Sequence, residues 1–86
     1  MFVYPTVLFP ADSDGIFGCA VDDLLVNASG RSADEAVRDA AGIMAELLQN
    51  MAERGEPFPE PTPIDEIDTD GGALVMITAI PPRIAA

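Results

Sequence analysis

The side chains most able to do chemistry in this 86-residue chain are carboxylates near its N-terminus. Asp12, Asp14, Asp22 and Asp23 form the densest acidic cluster. Mg²⁺ and Ca²⁺ accept such oxygen ligands, and acids that converge on two metals could hydrolyse a phosphodiester. The spacing lacks the closing Glu of a calcium-binding loop, and the residues between the two acidic pairs are mostly apolar. Solvated turn acids are therefore favoured, and a metal-dependent hydrolase is the least favoured function.

Nucleophilic catalysis has no basis in the composition. The chain contains no His and therefore no Ser–His or Cys–His pair. Cys19, the one cysteine, lies in a run of small and apolar residues without a cation nearby, which is typical of a buried, unreactive thiol. No glycine-rich stretch has the Lys and following helix of a phosphate-binding loop. We expect a noncatalytic chain with no cofactor and no metal.

The charge balance narrows the possible partners. Fifteen Asp and Glu stand against four Arg, and the net charge is −11. Such a chain repels nucleic acid and anionic membranes and attracts a basic protein, although net charge alone also serves solubility. The N-terminus lacks the basic region of a signal peptide, and no apolar run approaches the ~20 residues of a membrane span. The sequence thus predicts a cytoplasmic, protein-binding chain.

The elements that must position these residues form an α+β pattern in one domain over residues 1–86. Residues 1–9 and 16–21 read as a hairpin around a turn at residues 10–15. Residues 24–29 alternate as a third strand, a long helix follows, and residues 71–80 read as a fourth strand. We predict a three-stranded antiparallel meander, a helix packed on it, and a fourth strand buried on both faces. Pro5 places the first strand at an edge or marks a bulge.

The helix has a clear start and a clear end. Ser32 and Glu35 match a capping box, and Asp34 stands four residues before Arg38, which favours an ion pair. The helix should end near Arg54, with Gly55 as the left-handed residue after it.

The apolar arc of this helix spans roughly 200°, wider than a stripe that faces one core. Its predicted centre consists of Val37, Ala40, Met44, Leu47 and Met51. One flank, predicted as an oligomer contact, consists of Ala41, Ala45, Leu48 and Ala52. Either the rest of the chain or a second copy could cover that flank.

The connection at 56–70 carries four prolines that favour an extended segment, and residues 81–86 read as a loose tail. The order of elements, with "FVYPTVLFPADSDGIF", "DDLLVNASGRSADEAVRDA" and "GEPFPEP", resembles the HicB antitoxin family over about residues 3 to 80. The matching positions are Gly30, Ser32, Glu35, Ala36, Gly55, Pro59 and Pro61. Where that family commonly has Pro-Gly-Cys, this chain has Leu25, Val26 and Asn27.

The resemblance implies a partial RNase H-like fold that binds a small basic HicA-type toxin, an mRNA-cutting ribonuclease with a catalytic His, and blocks its active site. Family members usually add a C-terminal DNA-binding domain. This chain ends just after the fourth strand, so no direct nucleic-acid binding is expected. The alternative is an orphan homo-oligomeric module without a toxin.

A homodimer or higher homo-oligomer is expected in either case, because a chain this short has a marginal core. We expect its contact to use strand edges, the helix flank or both, with strand edges favoured. Asp12, Asp14, Asp22 and Asp23 are the predicted partner-binding residues.

Overall fold

The computed structural model describes residues 2–79, in which four antiparallel strands form one sheet. The strands are β1 (Phe2–Phe9), β2 (Phe17–Val21), β3 (Val26–Gly30) and β4 (Ala73–Ala79). They lie in the order β3-β2-β1-β4, and the helix α1 (Ala33–Glu53) packs on one face. The predicted α+β class is confirmed, but the fourth strand joins the meander in a single four-stranded sheet. The predicted tail at 81–86 lies outside the described residues.

β1 lies in the middle of the sheet, and the prediction of an edge strand is wrong. It pairs with β2 over Val7–Phe9 and with β4 over Phe2–Leu8. Pro5 is tolerated because the pairing with β2 has ended before that position is reached, so only β4 runs alongside it. Pro5 therefore lies in the half of β1 that has no neighbour on the β2 side. The proline correctly indicated a free side, but only for that half of the strand.

β4 is one of the two edge strands, and the prediction that both its faces are buried is wrong. Ile77 faces the helix side and is 6% exposed, whereas Leu74 and Met76 on the opposite face are 37% and 40% exposed. The continuous apolar run therefore reflects one buried face and one uncovered apolar face. The strand begins two residues later than the predicted 71, because Gly71 and Gly72 belong to the preceding turn, and the predicted last residue, Ile80, lies outside the described residues.

A 3₁₀ turn at Asp22–Leu24 separates β2 from β3, so the third strand begins two residues later than predicted. The predicted alternation is nevertheless present. Leu24 and Val26 are buried, and Asn27 and Ser29 are exposed.

The ends of α1 agree with the sequence. The Ser32 hydroxyl oxygen accepts a hydrogen bond from the Glu35 amide at 3.1 Å, which is one half of the predicted capping box. At the other end Gly55 has φ +70°, and the amides of Gly55 and Glu56 donate to the carbonyls of Ala52 and Met51. This is the Schellman arrangement that terminates many helices.

The buried face of α1 is rotated from the predicted one. The most buried positions follow an i, i+4 row: Ala36, Ala40, Met44 and Leu48. Leu48, assigned to the flank, is 1% exposed in the chain's own core, whereas Leu47, assigned to the centre, is half-buried. The prediction erred because the helix lies mainly over β3 and β2 rather than centrally over the sheet.

Gly30 allows the helix to approach β3 this closely. A Cβ at Gly30 would lie 2.6 Å from the Ala36 amide nitrogen, well inside contact distance. The close approach seats Ala36 and Ala40, both 0% exposed, against the sheet. Small residues therefore fix the helix on the β3 side.

Candidate protein-binding site

A groove of about 230 Å³ opens where the 3₁₀ turn at 22–24, the C-terminal half of α1 and the proline-rich connection meet. Its apolar lining is Leu24, Leu25, Leu47, Met51 and Pro59, and its charged lining is Asp23, Arg54 and Glu56. Arg54 already pairs with Glu56, Nε to Oε1 at 3.1 Å. The groove therefore presents apolar surface together with a net negative charge.

Leu25 is the most unusual residue of this groove. It is 89% exposed and adopts the left-handed conformation, with φ 55° and ψ 37°. A left-handed backbone is unfavourable for a residue with a Cβ, by roughly 1–2 kcal/mol, and a bulky residue there is a genuine outlier. Two unfavourable features thus coincide in one leucine, and backbone strain of this kind clusters at functional sites.

The connection, which contributes Pro59 to the groove, is held by contacts with β1 and with the 3₁₀ turn. The buried Tyr4 hydroxyl donates to the Pro59 carbonyl at 2.7 Å. The Asp23 carboxylate accepts from the Thr62 amide at 3.0 Å and from the Thr62 hydroxyl. Phe58 packs against the core. These contacts fix residues 58–62 against β1 and the 3₁₀ turn.

The tyrosine of this contact also titrates abnormally. Burial raises the pKa of Tyr4 above its ordinary value of 10.0, and the negative charges of Asp23 and Glu60 raise it further. The raised pKa means that the phenol stays protonated, and keeps donating to Pro59, to a higher pH than an ordinary tyrosine would.

The four predicted partner-binding acids do not form one cluster. Asp12 and Asp14 lie in the β1–β2 turn, and Asp22 and Asp23 lie beyond the far end of β2, separated by a strand that rises ~3.3 Å per residue. The Asp12 carboxylate accepts from the Asp14 and Ile16 amides at 2.9 and 3.0 Å, so it stabilises the turn. Of the four, only Asp23 lines the groove.

The predicted oligomer flank is also divided. Leu48 lies in the core, Ala41 and Ala52 are half-buried, and Ala45 is exposed. What remains on the surface is a row of small side chains, which leaves Ala45 as the position best placed to test that flank.

Residues 2–79 were also compared with what a metal site or a nucleophilic cysteine requires. No group of three or more His, Cys, Asp or Glu side chains is placed to hold a metal ion there. Cys19 is buried, as predicted, and burial raises the pKa of its thiol, which disfavours the nucleophilic thiolate. Over the same residues, no helix is long and apolar enough to cross a bilayer.

Sequence reasoning missed Leu25 as a site residue because it counted only as the outward position of an alternating strand. Its left-handed backbone follows the 3₁₀ turn at Asp22–Leu24, and a leucine in the sequence gives no sign of a conformation that glycine adopts most readily.

Comparisons with known proteins identify the fold. The chain is similar to the N-terminal domain of the Burkholderia pseudomallei antitoxin HicB, with a TM-score of 0.81 and 15% identity over 92% of this chain and 99% of that one. It is also similar to the B. pseudomallei antitoxin HicB, with a TM-score of 0.80 and 17% identity over 100% of this chain and 73% of that one. No family model matches the chain, and no curated protein matches it in sequence. The chain has the fold of the HicB N-terminal domain, as the sequence resemblance predicted.

Proposed function

We propose that this chain is a noncatalytic, cytoplasmic HicB-like antitoxin module that binds and neutralises a small basic HicA-type mRNA interferase. The observation that carries the proposal is the likeness of fold to antitoxin HicB, which extends over 92% and 100% of this chain in the two comparisons. The net charge of −11 supports it independently, because an RNA-cutting toxin needs a basic surface for its substrate.

The groove at Leu25 is the contact surface we propose for the toxin. Binding energy at protein interfaces concentrates in a few buried apolar anchors surrounded by polar contacts. Leu25 supplies an apolar side chain that is free to enter a pocket on the partner, and Leu47 and Met51 supply the surface beside it. Asp22 is exposed next to this surface and offers a carboxylate to a basic partner.

The remaining acids contribute in a different way. Asp12 and Asp14 lie at the opposite end of β2 from the groove. In this proposal they raise the rate of encounter with a basic toxin through long-range attraction, which salt screens. Their substitution should therefore slow association and leave the dissociation rate nearly unchanged.

The test requires a candidate toxin, which would be a short basic protein with a central His sought in the reading frame next to that of this chain. RNA cleavage by that protein should stop when this chain is added in equal amount. Leu25→Asp should weaken inhibition about tenfold or more, since a central anchor contributes on the order of 2 kcal/mol. Asp tolerates left-handed geometry, so the variant should fold.

Ile64→Asp is the matched control, because Ile64 is also an exposed apolar residue, 57% accessible, and does not line the groove. It should inhibit like the unmodified chain. Equal weakening by both variants would remove the groove from the proposal, and a toxin that keeps cutting RNA in the presence of the unmodified chain would remove the function itself.

A second candidate function is a homo-oligomeric regulatory module without a toxin. The unpaired outer edge of β4 within residues 2–79 favours it. We propose self-association in both cases, since no residue that lines the groove belongs to β4 and a homodimer through that strand is compatible with toxin binding.

A further inference from the structure

We infer that the outer edge of β4 pairs antiparallel with the same edge of a second copy, so that two four-stranded sheets become one continuous sheet. The inference rests on the homo-oligomer proposed above and is independent of any toxin. Its partner is a second copy of this chain, and its contact is main-chain pairing supported by Leu74 and Met76.

The first support is that β4 has an open edge in the described part of the chain. Over residues 2–79, β4 pairs with β1 alone. An unpaired strand presents a row of N–H and C=O groups, which is a template for another strand. β4 is a seven-residue strand, longer than the edge strands that proteins usually leave uncovered.

The second support is the contrast with β3 at the other edge of the sheet. The Ser29 amide of β3 donates to the Asp39 carboxylate of α1, at 3.4 Å. A charged side chain on an edge is one of the devices that block strand addition. β3 is also the strand over which the helix mainly lies. No comparable carboxylate contact is made with β4 among the described residues.

Charge selects a second copy as the occupant. Two chains of net charge −11 repel each other, so they can approach closely only through uncharged surface. The sequence of β4, ALVMITA, contains no charged residue and no proline. The same strand gives a basic partner no carboxylate with which to pair, and it therefore fits a copy of itself better than a toxin.

The apolar face beside this edge adds side-chain contact. Val3, Leu74 and Met76 are 38%, 37% and 40% exposed, and the β1–β4 register places all three on the face away from the helix. A two-fold axis, the commonest symmetry of dimers, would bring the Leu74 and Met76 side chains of the two copies together across the new strand pair. Met76 is close to the middle of β4 and therefore close to the axis.

The test measures the mass of the purified chain, without toxin, by sedimentation at micromolar concentration. We expect twice the 9.0 kDa of one chain. Higher salt should tighten the dimer, because it screens repulsion between two acidic copies. Met76→Glu should raise the dissociation constant on the order of 100-fold or more, because each copy brings one of two like charges to the axis.

Two variants with the same added charge serve as controls. Ile43→Glu alters an α1 residue that is 38% exposed, and Ala45→Glu alters the predicted helix flank. Both should remain dimeric. An unmodified chain that sediments as a monomer would overturn the homo-oligomer and this interface together. A dimer that survives Met76→Glu but dissociates with Ala45→Glu would overturn the β4 interface and leave the homo-oligomer standing.

Disulfide trapping keeps the inference testable if Met76→Glu fails to fold. In a Cys19→Ala background, Met76→Cys should give a covalent dimer on mild oxidation, because directly opposed residues of antiparallel strands lie within disulfide reach. Ile43→Cys in the same background should stay monomeric under those conditions. The reverse pattern would contradict pairing through β4.

Discussion

The two outer strands of this sheet differ in almost every feature that controls association. β3 lies beneath the helix, carries the Gly30 contact, and has its Ser29 amide bonded to Asp39. β4 lies away from the helix and exposes Leu74 and Met76 on its other face. On the β3 edge a carboxylate of the same chain accepts from one main-chain amide, whereas the β4 edge carries only neutral residues in a strongly acidic protein.

The difference between the two edges shows how this short chain uses its limited apolar surface: part of it is buried under the helix, and part is left exposed. α1 is placed to one side, so the β3 half of the sheet receives regular helical packing. The proline-rich connection reaches β1 at Tyr4 through the Pro59 carbonyl, and the groove at Leu25 opens between these two coverings. The off-centre helix therefore borders the proposed toxin groove and leaves β4, which the strand order puts at the other edge, with little helical cover.

The largest expected difference in stability is between substitution of a core residue of α1 and substitution of an exposed apolar residue of β4. Leu48→Ala should lower the free energy of unfolding by ~2–5 kcal/mol, because it removes a side chain that is 1% exposed. Leu74→Ala, at 37% exposure, should lower it by under about 1 kcal/mol when measured at concentrations where the chain is monomeric. Urea melts of the two variants give both values, and equal losses would contradict the difference in burial between these two side chains.

A pair of glycines tests the close approach on the β3 side. Gly30→Ala should destabilise the chain by on the order of 2 kcal/mol, since the new Cβ would collide with α1 backbone 2.6 Å away. Gly42→Ala should instead stabilise it by up to ~1 kcal/mol, because a Cβ there meets nothing within 4 Å and alanine favours a helix. If Gly30→Ala proved neutral in thermal melts, the helix would not be seated as described.

The hydrogen bond from Tyr4 of β1 to Pro59 of the connection should make the free energy of unfolding depend on pH. A phenol whose pKa is raised by folding contributes stability that is present below pH 10.0 and is lost as pH rises through the folded-state pKa. The chain has one Tyr and no His, and Cys19→Ala removes the other group whose pKa burial raises. In that background, urea melts from about pH 8 to about pH 11 should report Tyr4.

Tyr4→Phe should lower stability by ~1 kcal/mol at neutral pH through loss of the bond to Pro59. It should also flatten the alkaline decline. An unchanged decline in the phenylalanine variant would mean that the phenol does not hold the connection.

The smallest expected effect on stability comes from the carboxylate at the β3 edge. Asp39→Ala should cost under ~0.5 kcal/mol, since the bond to Ser29 is long and exposed. It should nevertheless favour assemblies larger than a dimer, because both edges of the sheet would then accept a strand. Glu46→Ala is the control, because it removes the same charge from an exposed helix position, and it should leave the size of the assembly unchanged. If both variants formed larger assemblies, the cause would be the lost charge and not the opened β3 edge.

Local signals in the sequence predicted the local structure well. Ser32 begins the helix and Gly55 ends it as expected, the ion pair of Asp34 with Arg38 forms at 3.1 Å, and Cys19 is buried. Each of these features depends on residues within one or two helical turns, where periodicity and capping chemistry decide the outcome.

Features set by long-range packing could not be predicted in the same way. Whether Leu47 or Leu48 faces the core depends on how α1 crosses the sheet, since both fit one apolar arc. The position of β1 depends on the pairing of β4, more than sixty residues later in the register. Leu25 fitted the alternation of a strand, so nothing in the periodicity pointed to its left-handed backbone. That backbone conformation follows from the 3₁₀ turn that Asp22 and Asp23 begin.

Leu25→Gly tests most directly whether the groove at Leu25 binds a basic toxin, as we propose. Glycine relieves the left-handed strain at φ 55°, so the free energy of unfolding of the variant, measured by urea melts, should rise by up to ~1 kcal/mol. It also removes the proposed anchor, so calorimetric titration with the neighbouring basic protein should show binding weakened about tenfold or more. A variant that is more stable but binds as tightly as the unmodified chain would contradict the claim.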